Sequence, residues 1–250
     1  MTTAANPVRF SHLMAFGRSA AHGHHARTRT DEDQTYPLER GSALHSIIFG
    51  THRVLAYPGP VRRGKEYETF CERNPGAEIL TASDYELARG MAESVSRSPL
   101  AAPYLKGVCE DTLFFRWNGM DCRSTPDVRG AGFLTELKST ATADPRRFLW
   151  DARKRCYHAQ LRFQEHGVRA AGKGAVRDHY IVSVESKPPF PVVVWHVEPE
   201  ALVEADKLLT IWSETLKNSE ASNAFPGYSD CVLPLVWPAS DEELEYGEAA

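Results

Sequence analysis

From Thr112 onward, apolar and polar residues alternate with a period of two. Residues 113–117 predict a strand, Asn118-Gly119 a tight turn, and 121–128 the returning partner. The alternation resumes over 133–139 after Gly130-Ala131-Gly132, so the sheet is expected to continue through a second hairpin. Two further strands, 178–185 and 192–197, flank Lys187-Pro188-Pro189. Other stretches follow the helical period. Residues 42–49 place Leu44, Ile47 and Ile48 on a buried face that His45 interrupts. After a loop rich in Pro58, Gly59, Pro60 and Gly64, residues 83–96 predict an amphipathic helix capped by Ser83 with Glu86 three residues on. Asp144-Pro145 opens helical sequence that runs to about Gly167, and another helix spans about 199–216. Strands, a crossing helix, then strands again predict an α/β fold with a central mixed sheet flanked by helices.

The second hairpin carries the chemistry. If its pairing is centred on Ala131 and Gly132, Asp127 lies opposite Glu136, where cross-strand Cβ atoms approach to roughly 5 Å and like charges repel. Strand alternation sends Leu134, Glu136 and Lys138 to one face and Phe133, Thr135 and Leu137 to the other. Two carboxylates and an ammonium in a half-buried strand need each other or a cation. Mg²⁺ suits such hard oxygen donors, and Mn²⁺ should substitute for it. Lys138 would then orient or deprotonate a water attacking a phosphodiester. His45 reads either as a satisfied core histidine or as an imidazole ligand to the same ion. Tyr157, Gln160 and Gln164 share one helix face, either as a polar stripe or as contacts to phosphate or water, and Glu110 is a weaker candidate carboxylate.

With 250 residues and 42% hydrophobic content, the chain can bury one substantial core. The expected parts are a helical and loop segment over 1–40 packed on the core, the main domain over 41–238, and an acidic tail over 239–250. Within the first, His22-Gly23-His24-His25 reads as an exposed loop between two helices, with a metal cluster as the sharper alternative. No apolar run nears the roughly 20 residues that span a bilayer, so a cytoplasmic protein without membrane contact is expected. The five cysteines are scattered without paired spacing, which argues against zinc or an iron-sulfur cluster. The net charge of −4 owes much to Asp241, Glu242, Glu243, Glu245 and Glu248; without them 29 bases face 28 acids. Net charge therefore neither supports nor excludes DNA, while Arg62, Arg63 and Lys65, and again Arg146, Arg147, Arg153, Lys154 and Arg155, form local basic stripes.

Several pieces recur in a familiar order: Phe10-Ser11-His12-Leu13, Gly41-Ser42-Ala43-Leu44-His45, Arg63-Gly64-Lys65-Glu66-Tyr67, Cys122 to Asp127, Glu136 to Thr140, Tyr157-His158-Ala159-Gln160, and Pro226-Gly227-Tyr228 to Leu233-Pro234. Together they resemble the PD-(D/E)xK nucleases, and among these the RecE-type phage and prophage exonucleases. The resemblance implies that His45, Asp127, Glu136 and the Leu137 carbonyl hold the metal. It makes Lys138 the water-activating lysine and places Gln160 in the helix motif behind the site. Where relatives often carry tyrosine four residues after that glutamine, this chain has Gln164, and Tyr157 on the same face could substitute. The implied activity is Mg²⁺-dependent, ATP-independent digestion of the 5′ strand of linear duplex DNA. It would leave 3′ single strands for a RecT-like annealing partner and would be carried out by a homo-oligomeric ring. Arg62, Arg63, Lys65, Arg146, Arg147 and Tyr157 would line the DNA track. An endonuclease of the same fold, or an inactive DNA-binding module, are the competing readings.

Overall fold

The structure is a computed structural model and describes residues 6–29 and 36–235. The elements run α1 (Phe10–Arg18), α2 (Ala20–Thr28), α3 (Tyr36–Phe49), β1 (Val54–Tyr57), α4 (Lys65–Arg73), β2 (Glu78–Thr81), α5 (Ala82–Arg97), β3 (Val108–Cys109), β4 (Leu113–Trp117) and β5 (Met120–Ser124). They continue with β6 (Val128–Arg129), β7 (Phe133–Thr140), α6 (Pro145–Lys154), α7 (Tyr157–Ala170), β8 (Asp178–Glu185), β9 (Val192–His196) and α8 (Pro199–Ser222).

A five-stranded mixed sheet in the order β3-β6-β7-β8-β9 forms the centre; β7 and β8 are its parallel pair, and the other neighbours are antiparallel. Helices cover both faces, as the strand-helix-strand order predicts. On one side Leu137, Val182 and Val184 pack on Leu44 of α3 and on Met91 and Val95 of α5. On the other, Leu134 and Ile181 meet Phe163 of α7, Leu209 of α8 and Leu13 of α1. Successive side chains of β7 point to opposite faces and Leu134 to Leu137 are all buried, so one strand supplies both layers of core.

The sheet is not one continuous meander. β4 and β5 form a separate two-stranded hairpin closed by Asn118 and Gly119, both at positive φ; Val8 bridges Cys122 of β5, and the hairpin lies on α7 with Phe115 5.3 Å from the Phe163 ring. β1 and β2 form a separate parallel pair, and with α4 they structure the stretch expected to be a loop. The helical sequence after Asp144 is two helices rather than one. Cys156 sits in the left-handed region at φ 53°, ending α6 and re-aiming α7 toward the sheet.

Two further expectations are corrected. The cap of α5 is Thr81, whose hydroxyl accepts from the Asp84 N–H at 3.1 Å, so the signal is Thr-x-x-Asp two residues ahead of Ser83. The histidine-rich stretch belongs to α2 and is not a loop. Tertiary contacts hold it there: Gly23 lies against the Phe16 ring, which a Cβ would meet at 2.2 Å, and His24 stacks on Phe225 at 4.0 Å. Among the described residues the histidines of α2 join no metal-binding group. No described helix is long and apolar enough to cross a membrane. Residues 236–250, with the acidic tail, lie outside the described residues.

Candidate active site

The hairpin between β6 and β7 has the register its sequence predicts. Val128 pairs with Thr135 and Arg129 with Leu134, which continues to Asp127 opposite Glu136 and Pro126 opposite Leu137. Pro126 has no N–H to give, so the ladder stops at the residue where the Leu137 backbone groups face the missing strand. Side chains replace it. Asp127 Oδ2 accepts the Leu137 N–H at 2.7 Å, and His45 Nε2 donates to the Leu137 carbonyl at 2.9 Å. Proline therefore ends the sheet at a point where it exposes one carbonyl and aims one carboxylate.

Around that gap the structure gathers His45 from α3, Asp127 from the β5–β6 link and Glu110 from the β3–β4 link, each offering a ligand atom within 4.8 Å of the others. His45 Nδ1 lies 3.3 Å from Glu110 Oε1 and 3.6 Å from Asp127 Oδ1. Glu110 adopts φ 51° and ties its N–H to the Asp127 carbonyl at 3.1 Å, which brings its side chain over the site. It is more central than its sequence position suggested, because that backbone contact is invisible in the residue pattern.

Glu136 is fully buried and faces the other way, toward α7. Its Oε2 receives the Lys138 ammonium and Gln160 Nε2 at 2.7 Å, and its Oε1 receives Gln164 Nε2 at 2.5 Å. Three donors hold the carboxylate, and it stands outside the His45, Glu110, Asp127 cluster. Gln160 thus reaches Glu136 directly. Gln164 holds the opposite oxygen, so two amides of α7 clamp one carboxylate. Tyr157 places its ring 5.3 Å from Lys138 Nζ, a cation–π contact on the same helix face.

The electrostatics follow from charge crowding under cover. Burial raises the Asp127 carboxyl and the neighbouring Glu136 adds to it, to about 7, although His45, Lys138 and the Leu137 N–H pull the other way. Burial would lower the His45 pKa, but Asp127 and Glu110 outweigh it and raise it to about 9. Burial also works against the Lys138 ammonium, yet Glu136 and Asp127 hold it protonated above its usual range. Lys138 is therefore held as a hydrogen-bond donor and a positive charge beside Glu136.

His45, Asp127 and Lys138 border a cleft of about 970 Å³ or lie directly beneath its floor, and Arg123, Arg155 and Tyr157 line both this cleft and an adjoining cavity of about 460 Å³. Sequence reasoning missed Arg123, since a lone arginine on a strand carries no signal of where it points, and it named Arg155 only as one of a basic bunch. Of the basic residues it did select, Arg63, Lys65, Arg146 and Arg147 are exposed. Arg62 is not part of an open track: it bonds Glu39 at 2.7 Å and the Ile79 carbonyl at 2.7 Å, bracing α3 against β2.

The Gln164 contact gives a direct expectation. Gln164→Leu removes the donor to Glu136 Oε1 while keeping volume, and supporting residues of this kind are typically worth about 10–100-fold in activity. Stability should fall by about 1.5–3 kcal/mol, the worth of a hydrogen bond to a charged group. Urea unfolding and a DNA digestion assay read the two effects, and wild-type activity in the variant would show that the amide is idle.

No curated protein matches the chain. Among solved structures, one from Eubacterium rectale, provisionally named an exonuclease, superposes with a TM-score of 0.66 at 16% identity over 99% of both chains, a likeness of fold. LHK-Exo in complex with dAMP aligns over 75% of this chain and 96% of its own at 12% identity, with a TM-score of 0.31 that is too low to support an argument. The sequence itself matches one family over residues 9–232. The chain belongs to that family, the PDDEXK-like domain of unknown function (DUF3799).

Proposed function

We propose that the protein is a divalent-metal-dependent exonuclease that digests one strand of linear duplex DNA from its 5′ end. The observation that supports this most is the gathering of His45, Glu110 and Asp127 at the place where Pro126 ends the ladder, with the Glu136-bound Lys138 ammonium beside them on the cleft. The donor set fits a divalent ion. His45, Glu110 and Asp127 offer an imidazole and two carboxylates within 4.8 Å, and the Leu137 carbonyl beside them has no strand partner. These residues would hold Mg²⁺, with Mn²⁺ as a substitute. Bound there, the ion supplies positive charge for the phosphoryl oxygens and lowers the pKa of a water.

The chain's own groups do the rest. Glu136, clamped by Gln160 and Gln164, fixes the Lys138 ammonium between itself and the cleft. From there Lys138 orients an attacking water and balances the negative charge that grows on the phosphate. Tyr157, Arg123 and Arg155 stand where the cleft opens and can receive the sugar-phosphate backbone, which needs no base reading. Arg63, Lys65, Arg146 and Arg147 extend that path. Products would be 5′ mononucleotides and a 3′ single strand handed to a RecT-like annealing protein. A homo-oligomeric ring would keep the enzyme on its substrate, and the work would take place in the cytoplasm.

A linear duplex labelled separately at its 5′ and 3′ ends tests the reading. The 5′ label should be released first with Mg²⁺ and not at all with EDTA, and covalently closed circles should survive. Cutting of closed circles would replace this reading with an endonuclease of the same fold. Absence of both cleavage and Mg²⁺ binding heat would leave a binding module.

A further inference from the structure

The face of α6 that meets solvent is unlike that of an ordinary surface helix. Leu149 and Trp150 are 67% and 61% exposed, and they sit among Arg146, Arg147, Arg153, Lys154 and Arg155. Two ridges run along it at four-residue spacing. One is Arg147, Asp151 and Arg155, whose last two members line the cleft above Lys138. The other is Arg146, Trp150 and Lys154, immediately beside it. Arg153 reaches Glu204 at 3.5 Å, but among the described residues no carboxylate pairs with the side chains of Arg146, Arg147, Lys154 or Arg155.

A bare indole between unpaired cations is costly to expose and is poor material for a core. It matches a polyanion that also has flat apolar faces. Single-stranded nucleic acid has both, a charge on every phosphate and a π-face on every base. Duplex DNA hides its bases in the stack and offers an indole little. An identical copy of this chain would bring five cations against its own basic ridge, so charge complementarity favours the strand.

We propose that α6 is a single-strand platform on the rim of the cleft, with Trp150 stacking on an unpaired base and Arg146, Lys154 and Arg155 holding the flanking phosphates. The proposal rests on the nuclease reading and deepens it: it assigns the strand separated at the duplex end to a specific helix. Trp150 is not among the residues that line the cleft with Lys138, so its effect is on strand binding and not on the reacting atoms.

The test is fluorescence anisotropy of a labelled 20-nucleotide oligothymidylate, titrated with the full chain in EDTA so that binding does not depend on hydrolysis. Trp150→Ala should weaken binding about tenfold and Trp150→Phe by less than about threefold, because stacking survives on a smaller ring. The slope of log affinity against log salt should stay unchanged in Trp150→Ala. In Lys154→Ala it should become shallower by about 0.7. Affinity for a blunt duplex should not respond to Trp150. Unchanged oligothymidylate binding in Trp150→Ala overturns the proposal. So does a change in oligomeric mass on sedimentation, which would assign Leu149 and Trp150 to an interface between copies. Wild-type protein that binds the oligonucleotide in this way but leaves linear duplex intact with Mg²⁺ would strike the nuclease reading alone.

Discussion

Lys138→Ala is expected to lower digestion of linear duplex DNA by about 10³-fold, within the range that a positioned proton-transferring or charge-balancing group supplies. The reason is local. Lys138 Nζ is the cation bonded to a fully buried Glu136, and its side chain is only 18% exposed at the floor of the cleft. No solvent cation can take up that position with the same geometry. The fold should survive, because Glu136 keeps two amide donors from α7. Lys138→Gln separates the two roles: it retains a donor to Glu136, and so most of the stability, while remaining inactive. Release of acid-soluble nucleotides measures the first effect and a thermal melt the second. A variant that digests duplex at the wild-type rate would remove Lys138 from the reaction and with it the present account of the site.

That prediction was available from the sequence because strand periodicity is rigid. A two-residue repeat and the glycine-bounded turn leave one register that buries Leu134 and Leu137, and the same register fixes Asp127 opposite Glu136. The Asn118-Gly119 hairpin, the Asp144-Pro145 helix start and the strands β8 and β9 were legible for similar reasons, each resting on a local rule. What stayed hidden depends on distant parts of the chain. Nothing near Glu110 says that its N–H will find the Asp127 carbonyl. The α2 helix has poor intrinsic propensity and exists because Phe16, Phe225 and the Pro226 carbonyl receive it. The β1–β2 pair joins two segments separated by a whole helix, and the turn at Cys156 breaks a pattern that periodicity alone would continue. The paired glutamines were visible as a stripe on α7, but their common target, Glu136, required the fold.

The same helix anchors the largest expected effect on stability. Next to Gln164, Glu165 is 3% exposed, accepts from Arg162 at 2.5 Å and Arg169 at 2.6 Å, and lies 3.1 Å from His179 Nε2 as an ion-pair neighbour. Arg162 in turn grips Asp206 of α8 with two bonds, at 2.9 and 2.8 Å. Burial would raise the Glu165 pKa, but the hydrogen bonds from His179 and Arg162 prevail and lower it from 4.5 to about 2. Glu165→Ala should therefore cost about 3–5 kcal/mol, since it leaves His179 and Arg162 without their buried acceptor. That corresponds to a fall in Tm of about 10 °C for a chain of this size. Glu165→Gln isolates the charge. A carboxylate whose folded pKa is depressed contributes stability that is fully present above its unfolded value of 4.5 and disappears as pH falls through about 2. In urea unfolding, the gap between wild type and Glu165→Gln should accordingly be constant above about pH 5 and close toward pH 2. A gap of the same size at pH 7 and at pH 2 would show that Glu165 acts through shape rather than charge. Because this cluster sets the seat of α7 against β8 and α8, loosening it should also reach Glu136 through Gln160 and Gln164. Activity in Glu165→Ala should then decline below the unfolding temperature, ahead of the loss of helix signal.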